Sequence, residues 1–153
     1  ALHWLRNHQS LLGQLTAALA TGGQLAVQVP ANDDHPTHVI AAQVANESPF
    51  REAMQGYRRE WPVLKPEAYA VTLNSLGYKR QQVRLQVYGH LLGSRDDVIE
   101  WVKGTLLTDY EKRLSAELYA EFLERFRTRL LDVLADTRPY FYPFKRILMW
   151  AEL

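Results

Sequence analysis

The feature that most constrains the fold is a short apolar strand that directly follows a helix. Apolar residues recur at helical spacing after Asn7, which can cap a helix. Gly22-Gly23 end this helix, and Gln24–Val29 then form a strand that Pro30 closes. Because Leu25-Ala26-Val27 is apolar without alternation, we expect the strand to be buried on both faces, as in a parallel sheet. A helix, a glycine turn and a buried strand predict an α/β fold.

Two more strands are expected farther along the chain. Residues 82–88 alternate between apolar and polar side chains, which predicts a half-buried strand. Residues 142–151 form a last strand, after Arg138-Pro139 breaks the preceding helix. Three strands are too few for a closed α/β domain, and residues 1–5 already resemble the tail of an apolar element. We therefore expect a chain that begins in mid-fold.

Helical segments are expected between these strands. The apolar spacing is weakly helical over residues 36–57, and Pro66 stands in the first turn of a helix that Gly77 ends. Ser94 and Asp97 have capping-box spacing. Ser115 begins the strongest helix, whose apolar stripe consists of Leu118, Phe122, Phe126, Leu130 and Val133. The segment 94–134 is therefore predicted to form a helical cap.

Charge and composition exclude several classes of protein. The chain of 153 residues has a formal net charge of +1, which favours neither nucleic acid nor anionic lipid as a partner. It has no cysteine, so disulfides, thiol nucleophiles and thiolate metal sites are excluded. No apolar run approaches the roughly 20 residues that span a bilayer. Because no signal peptide opens the chain either, we expect a cytoplasmic protein.

Three groups of residues suggest ligand sites, and each has a simpler explanation. The histidines include His35 and His38, but no H-E-x-x-H pattern exists, and we expect no metal site. The arginines within 125–129 share a helix with glutamates, which favours a solvated face over a nucleic-acid groove. In that helix Glu121 and Arg125 are spaced as an ion pair. The aromatic residues within 140–144 could stack bases, yet such residues at the start of a strand more often pack in a core.

No glycine-rich nucleotide loop is visible. Gly22-Gly23 precede a strand instead of following one, so we interpret them as a helix stop. A G-x-G-x-x-G pattern does not occur in the sequence. The chain by itself therefore shows no loop for a dinucleotide or for an adenosyl group.

Six segments, in chain order, carry a resemblance to a known family. The opening Ala1–Leu5 with Asn7-His8 is similar to the pattern A-L-Q-W-L-x-D-H, and residues 25–38 are similar to L-A-V-Q-M-P followed by N-x-x-x-P-[ST]-H. Residues 68–90 resemble A-Y-Y…G…Y-x-H, residues 99–105 fit I-[ED]-W-V-x-x-T, and Phe144 with Arg146 resembles F-P-R. These patterns resemble the trans-aconitate methyltransferase family. The chain departs from it at His3, Asn7 and Lys145, and at Thr105–Tyr110, where the family has T-G-L-R-P; the departures bear on which acceptor is methylated.

The resemblance implies the C-terminal part of a class I methyltransferase, a Rossmann-like α/β fold with seven strands, of which the last is antiparallel. Residues 24–29, 82–88 and 142–151 would be strands five to seven, and Ala1–Leu5 would follow strand four. The first four strands, which bind S-adenosylmethionine in this fold, would lie before residue 1. We therefore expect this chain alone to bind the cofactor weakly and to be inactive.

The family transfers the methyl group of S-adenosylmethionine to a carboxylate of a small tricarboxylic acid, which gives a methyl ester. A carboxylate is already a nucleophile at neutral pH, so positioning and exclusion of water suffice, and no catalytic residue is required. Arginine is best suited to hold the remaining carboxylates, because it pairs with them through two hydrogen bonds. The resemblance implies eight substrate-binding residues, which are His3, Trp4, His38, Tyr88, His90, Trp101, Lys103 and Arg146. The helices from Ser94 to Leu134 would form a lid over the acceptor.

Two other functions stay open at this point. The chain could be a non-enzymatic module that binds a partner through its arginine-bearing helix. It could also belong to a methyltransferase of the same fold with another acceptor, such as a different small acid or a carrier-bound acyl group. Without strand four, the edge of residues 24–29 would be exposed, so we expect self-association through this edge.

Overall fold

The computed structural model describes residues 2–153, which fold into two compact units. The first, called here the sheet unit, contains the described residues up to Asn32 together with Trp61–Tyr88 and Pro143–Leu153. The second, called the helical unit, contains Asp33–Glu60 and Gly89–Tyr142. Helices and strands are mixed along the chain, which confirms the predicted α/β class.

One sheet of three strands forms, with β1 at Gln24–Pro30, β2 at Arg80–Leu92 and β3 at Tyr140–Glu152. β3 lies between β1 and β2 in the sheet. It runs antiparallel to β1, with Glu152 opposite Gln24 and Arg146 opposite Pro30. The expectation of an antiparallel last strand is confirmed.

The core of the sheet unit lies between one face of the sheet and two helices, α1 (His8–Ala17) and α4 (Pro66–Ser75). Asn7 begins α1 as predicted, because its Oδ1 accepts a hydrogen bond from the Ser10 N–H at 3.1 Å. The core side chains are Leu12, Leu25, Val29, Tyr69, Leu73, Ile147, Met149 and Ala151. Burial of each large apolar side chain contributes about 1.5–3 kcal/mol, so this face of the sheet is what stabilises the unit.

The predicted burial of β1 on both faces is wrong. Leu25 and Val29 are buried, whereas Ala26 and Gln28, which point to the other face, are exposed. The reason is that α1 and α4 cover only the first face, and alternate residues of a strand point to opposite faces. β2 is also more exposed than predicted, with Leu85 49% and Val87 50% accessible. The apolar run Leu25-Ala26-Val27 therefore did not indicate burial on both faces of the strand.

The helical unit is built around α7 (Ala116–Val133), which packs on α2 (Pro36–Ala45). The Ser115 Oγ accepts the Leu118 N–H at 3.3 Å, which confirms the predicted cap of α7. Of the predicted stripe, Phe122, Phe126 and Leu130 are fully buried, but Val133 is 58% exposed. Leu134 is buried in its place, since the backbone leaves the helix at that residue.

Three shorter helices complete this unit: α3 (Phe50–Ala53), α5 (Asp96–Lys103) and α6 (Thr108–Glu111). The weakly helical segment predicted over 36–57 forms two helices, α2 and α3, with Pro49 between them. Ser94 does not cap α5, since Arg95 occupies the cap position without a side-chain hydrogen bond. The Ser94 N–H instead donates to the Asp97 carboxylate at 3.0 Å, which is half of the predicted capping box.

The arginines of α7 all face carboxylates. Arg125 pairs with Glu121, as predicted, and Arg127 pairs with Asp96. Arg129 donates two hydrogen bonds to the Glu47 carboxylate, at 2.6 and 2.9 Å. Their charges are therefore satisfied within the unit. Among residues 2–153, no helix is long and apolar enough to cross a membrane.

Candidate functional site

The helical unit brings two histidines together at the start of α2. His35 caps this helix, because its Nδ1 accepts a hydrogen bond from the Thr37 N–H at 3.2 Å. The buried Thr37 hydroxyl lies 2.9 Å from His35 Nδ1 and 3.2 Å from His38 Nδ1, so one hydroxyl links both imidazoles. Pro36 at the first helical position fixes the backbone that this arrangement requires.

A row of four rings extends from this point, and we call it the ring row. His35 contacts the edge of Tyr142 with centroids 4.9 Å apart, and Tyr142 contacts Trp101 at 5.9 Å. Trp101 in turn lies 5.0 Å from His90. The row therefore joins α2, the start of β3, α5 and the end of β2. Of the predicted site residues, it contains His90 and Trp101, and Thr37 connects it to His38.

A cavity of about 540 Å³ is lined in part by His38. It is bounded by α2, by the segment after α3 and by α6. Its polar lining residues are Asp33, His38, Gln43, Asn46, Tyr57, Arg58, Arg59 and Tyr110. This volume suits a small organic molecule, and the lining offers cationic, hydroxyl and amide groups beside apolar surface from Val39, Ala42 and Ala45.

Arg59 is the more enclosed of the two cationic residues in this cavity. Its side chain is 14% exposed, its Nη1 donates to the Leu106 carbonyl at 2.7 Å, and the same nitrogen lies 3.4 Å from an Asp109 carboxylate oxygen. Leu106 and Asp109 belong to the Thr105–Tyr110 segment. The segment that departs from the family pattern therefore contacts a cation of the cavity.

Burial also tunes the ionisation of two cavity residues. Desolvation, and then the charges of Arg59 and His35, lower the pKa of His38 to about 4, while Asp34 acts in the opposite direction. His38 is consequently a neutral imidazole at pH 7. Burial raises the pKa of Tyr110 to about 12, so its phenol stays protonated and can donate a hydrogen bond.

The remaining predicted site residues lie elsewhere. Lys103 ends α5 and pairs with Glu100 at 2.7 Å, on a different side of the helix from Trp101. In the sheet unit, His3 and Trp4 form a short 3-10 turn with rings 4.8 Å apart. Tyr88 borders a groove of about 440 Å³ on the open sheet face.

Arg146, the last of the predicted residues, lies near the start of β3 in the sheet unit. Its guanidinium lies 5.1 Å from the Phe144 ring centre and reaches the Gln28 side-chain oxygen at 3.5 Å. No carboxylate of residues 2–153 pairs with it. A half-buried arginine without a counter-ion remains able to bind an anion.

Asn32, which the sequence analysis did not select, holds the end of β1 to β3. Its Oδ1 accepts the Lys145 N–H at 2.8 Å, and the Ala31 N–H donates to the Lys145 carbonyl at 2.9 Å. Its side chain is 1% exposed, and its Nδ2 has no partner within residues 2–153. An unsatisfied buried amide costs about 1–3 kcal/mol, which is unusual enough to mark the position.

Sequence reasoning also missed His35, Tyr142, Arg58 and Arg59. His35 stands next to Pro36 in cap position, which is a signal that the sequence does contain. The two arginines follow the Gly56 turn, and nothing local distinguishes them from other surface arginines. Within residues 2–153, no group of three or more histidine, aspartate or glutamate side chains is arranged to hold a metal ion.

Comparison with known proteins identifies relatives that share one name, trans-aconitate 2-methyltransferase. A trans-aconitate 2-methyltransferase from Deinococcus radiodurans is 40% identical over 157 residues, which cover 99% of this chain and 60% of that protein. One from Variovorax paradoxus is 35% identical over 85% of the chain and 50% of its own length. One from Mycobacterium tuberculosis is 32% identical over the whole chain and 60% of its own length. No family model matches the chain.

The chain spans 50–60% of the length of these three relatives. A solved structure from Bacillus halodurans aligns with 99% of the chain and 60% of its own, with a TM-score of 0.49 and 20% identity. We draw no conclusion from a structural similarity with so low a TM-score and identity.

Proposed function

The chain belongs to the family of the trans-aconitate 2-methyltransferases, of which it spans part of the length, and from this we propose that its parent protein methylates a carboxylate of a small polycarboxylic acid. The product is a methyl ester, and trans-aconitate is the first acceptor to test. The observation that carries this proposal is 40% identity over 99% of the chain to the Deinococcus radiodurans protein.

The proposed reaction requires this chain to do little more than bind the acceptor. A carboxylate is ionised at neutral pH and needs no general base, so a neutral His38 is compatible with the reaction. The chain has to hold the acceptor still and keep water away from its reacting oxygen. The ring row supplies apolar walls, and the arginine-bearing cavity supplies groups for anions.

We propose S-adenosylmethionine as the methyl donor. Residues 2–153 do not fit its adenosyl group, because they contain no glycine-rich loop between a strand and a helix; Gly22-Gly23 precede β1. We therefore assign the acceptor side of the reaction to this chain and derive no step through the donor. On this assignment, calorimetric titration of the 153-residue chain with S-adenosylmethionine gives no measurable binding. We also propose a cytoplasmic location, in keeping with a sequence without cysteine.

The contact between Asp109 and Arg59 favours a second class of acceptor, an acid with fewer carboxylates. Asp109 lies 3.4 Å from Arg59 and offsets part of its charge. A cavity with less positive charge suits an acid with fewer carboxylates. The alternative of a binding module finds no such support, because the arginines of α7 already face carboxylates.

An acceptor panel tests the proposal. The protein, as its gene encodes it, is incubated with S-adenosylmethionine labelled in the methyl group and with mono-, di- and tricarboxylic acids. We expect labelled methyl ester from trans-aconitate, and ester from a dicarboxylate instead would favour the second class. If none of the acids is esterified while the labelled donor is shown to bind, the proposed function is wrong.

A further inference from the structure

Two neighbouring arginines border the same cavity of the helical unit but differ in their contacts. Arg59 is held by the Leu106 carbonyl and by Asp109. Arg58 is exposed and forms no hydrogen bond or ion pair with any residue between 2 and 153, although it lines the cavity. Of this pair, Arg58 is therefore the one whose guanidinium has no acceptor among the described residues.

The surroundings of Arg58 are ordered by other contacts. Tyr57, its neighbour in the chain, lies under the Arg113 guanidinium at 3.8 Å and meets Tyr110 edge-on at 6.4 Å. These contacts fix the backbone from which the Arg58 side chain extends. On the facing side, α2 contributes the Gln43 and Asn46 amides, which can donate hydrogen bonds to an anion.

The charged groups at the cavity balance overall, and among residues 2–153 only one of the two arginines, Arg59, has a carboxylate in contact. Arg58 and Arg59 contribute two positive charges, Asp33 and Asp109 contribute two negative charges, and His38 contributes none at pH 7. Asp109 faces Arg59, so the charge near Arg58 is not cancelled by a contacting group. Asp33 lines the cavity as well, and it forms no ion pair with a described residue.

We propose that Arg58 binds a non-reacting carboxylate of the methyl acceptor, while Arg59 serves as a positioning residue that keeps Asp109 and the Thr105–Tyr110 segment in place. This inference rests on the proposed function, because it takes the acceptor to be a small polycarboxylate. Guanidinium and carboxylate pair through two parallel hydrogen bonds, which would fix the orientation of the acid as well as its affinity. Arg58 is thus a determinant of specificity and takes no part in bond making.

The test compares two arginine variants with the same change of charge. Arg58→Gln removes the proposed contact, and Arg51→Gln removes an exposed arginine of α3 that pairs with Glu52 at 2.7 Å outside the cavity. Binding of trans-aconitate to the protein encoded by the gene is measured by calorimetry without a methyl donor. We expect Arg58→Gln to weaken binding about tenfold and Arg51→Gln less than about twofold.

Kinetics separate a binding role from a structural one. With the methyl donor present, Arg58→Gln should raise KM for the acid about tenfold with kcat and the melting temperature little changed, and Arg58→Lys should recover part of the loss. Equal binding by wild type and Arg58→Gln, equal weakening by both variants, or no binding by wild type would each overturn the inference. Ester formation with an unchanged KM in Arg58→Gln would overturn it while leaving the proposed function intact. Binding that depends on Arg58, without formation of any ester, would support the inference and contradict the proposed function.

Discussion

The indole of Trp101 lies against the ring of Tyr142, with centroids 5.9 Å apart and ring planes inclined by 64°. This contact joins α5 to the first residues of β3, and through His35 it reaches the start of α2. The three elements are distant in the chain, so their meeting depends on the tertiary fold. The ring row consequently depends on the packing of the helical unit.

Acid should destabilise the protein through His38. Its pKa is lowered from 6.5 to about 4, first by burial and then by Arg59 and His35, with Asp34 opposing them. Between these pH values the unfolded chain binds a proton that the folded chain does not. Stability therefore falls as the pH drops from 6.5 towards 4, by at most about 3 kcal/mol. Urea unfolding at pH 7 and pH 4.5 should show a smaller loss in His38→Gln than in wild type. The same loss in both proteins would show that His38 is not the group responsible.

Two serines before helices should differ in their contribution to stability. The Ser115 hydroxyl caps α7, whereas Ser94 uses only its backbone N–H, which donates to Asp97. Ser115→Ala should therefore lower the free energy of unfolding by about 1 kcal/mol, and Ser94→Ala should change it by less than about 0.3 kcal/mol. Denaturant titration of both variants checks this. Equal losses would mean that the cap of α7 contributes nothing specific.

Arg146 should contribute to the affinity for the acid and leave the affinity for the donor unchanged. Within residues 2–153, its guanidinium has no carboxylate partner and its only side-chain hydrogen bond is the long contact with Gln28. Arg146→Ala should raise KM for the acid about tenfold in the parent enzyme. Arg80→Ala is the matched control, because Arg80 pairs with Glu152 at 2.6 Å in the same unit. Unchanged KM values for acid and donor would show that Arg146 does not contribute to binding of the acid.

We propose that the 153-residue chain associates through β1. This strand has one neighbour, β3, in the described sheet, and Ala26 lies exposed on the open face. Strand edges of this kind pair with other chains, and a lysine opposes such pairing. Light scattering should detect a dimer or larger species for the chain, less of it for Ala26→Lys, and no change for Ala17→Lys on α1. A monomer at tens of micromolar, where such edges normally associate, would contradict the proposal.

Local signals predicted the helix starts at Asn7 and Ser115, because a cap depends on residues within one turn. The sequence did not predict which face of β1 is covered, since that depends on where α1 and α4 pack. Val133 was predicted to be buried because helical periodicity was extended one turn too far, to the point where the backbone turns away at Leu134.

The candidate site was predicted only in part for the same reason. His38, His90 and Trp101 were selected from the resemblance, and the structure connects them through Thr37, His35 and Tyr142. Arg58 and Arg59 gave no local signal, because an arginine becomes distinctive only when the fold gives it a cavity or withholds a counter-ion.

We propose that this chain forms the acceptor side of a carboxyl methyltransferase, and the steady-state kinetics of Trp101→Ala are the sharpest test. Phe141→Ala is the control, since Phe141 neighbours Tyr142 but points to the opposite side of β3 and is 56% exposed. We expect Trp101→Ala to raise KM for the acid about tenfold and to change KM for S-adenosylmethionine less than about twofold, and we expect Phe141→Ala to change neither. A raised KM for S-adenosylmethionine with an unchanged KM for the acid would contradict it.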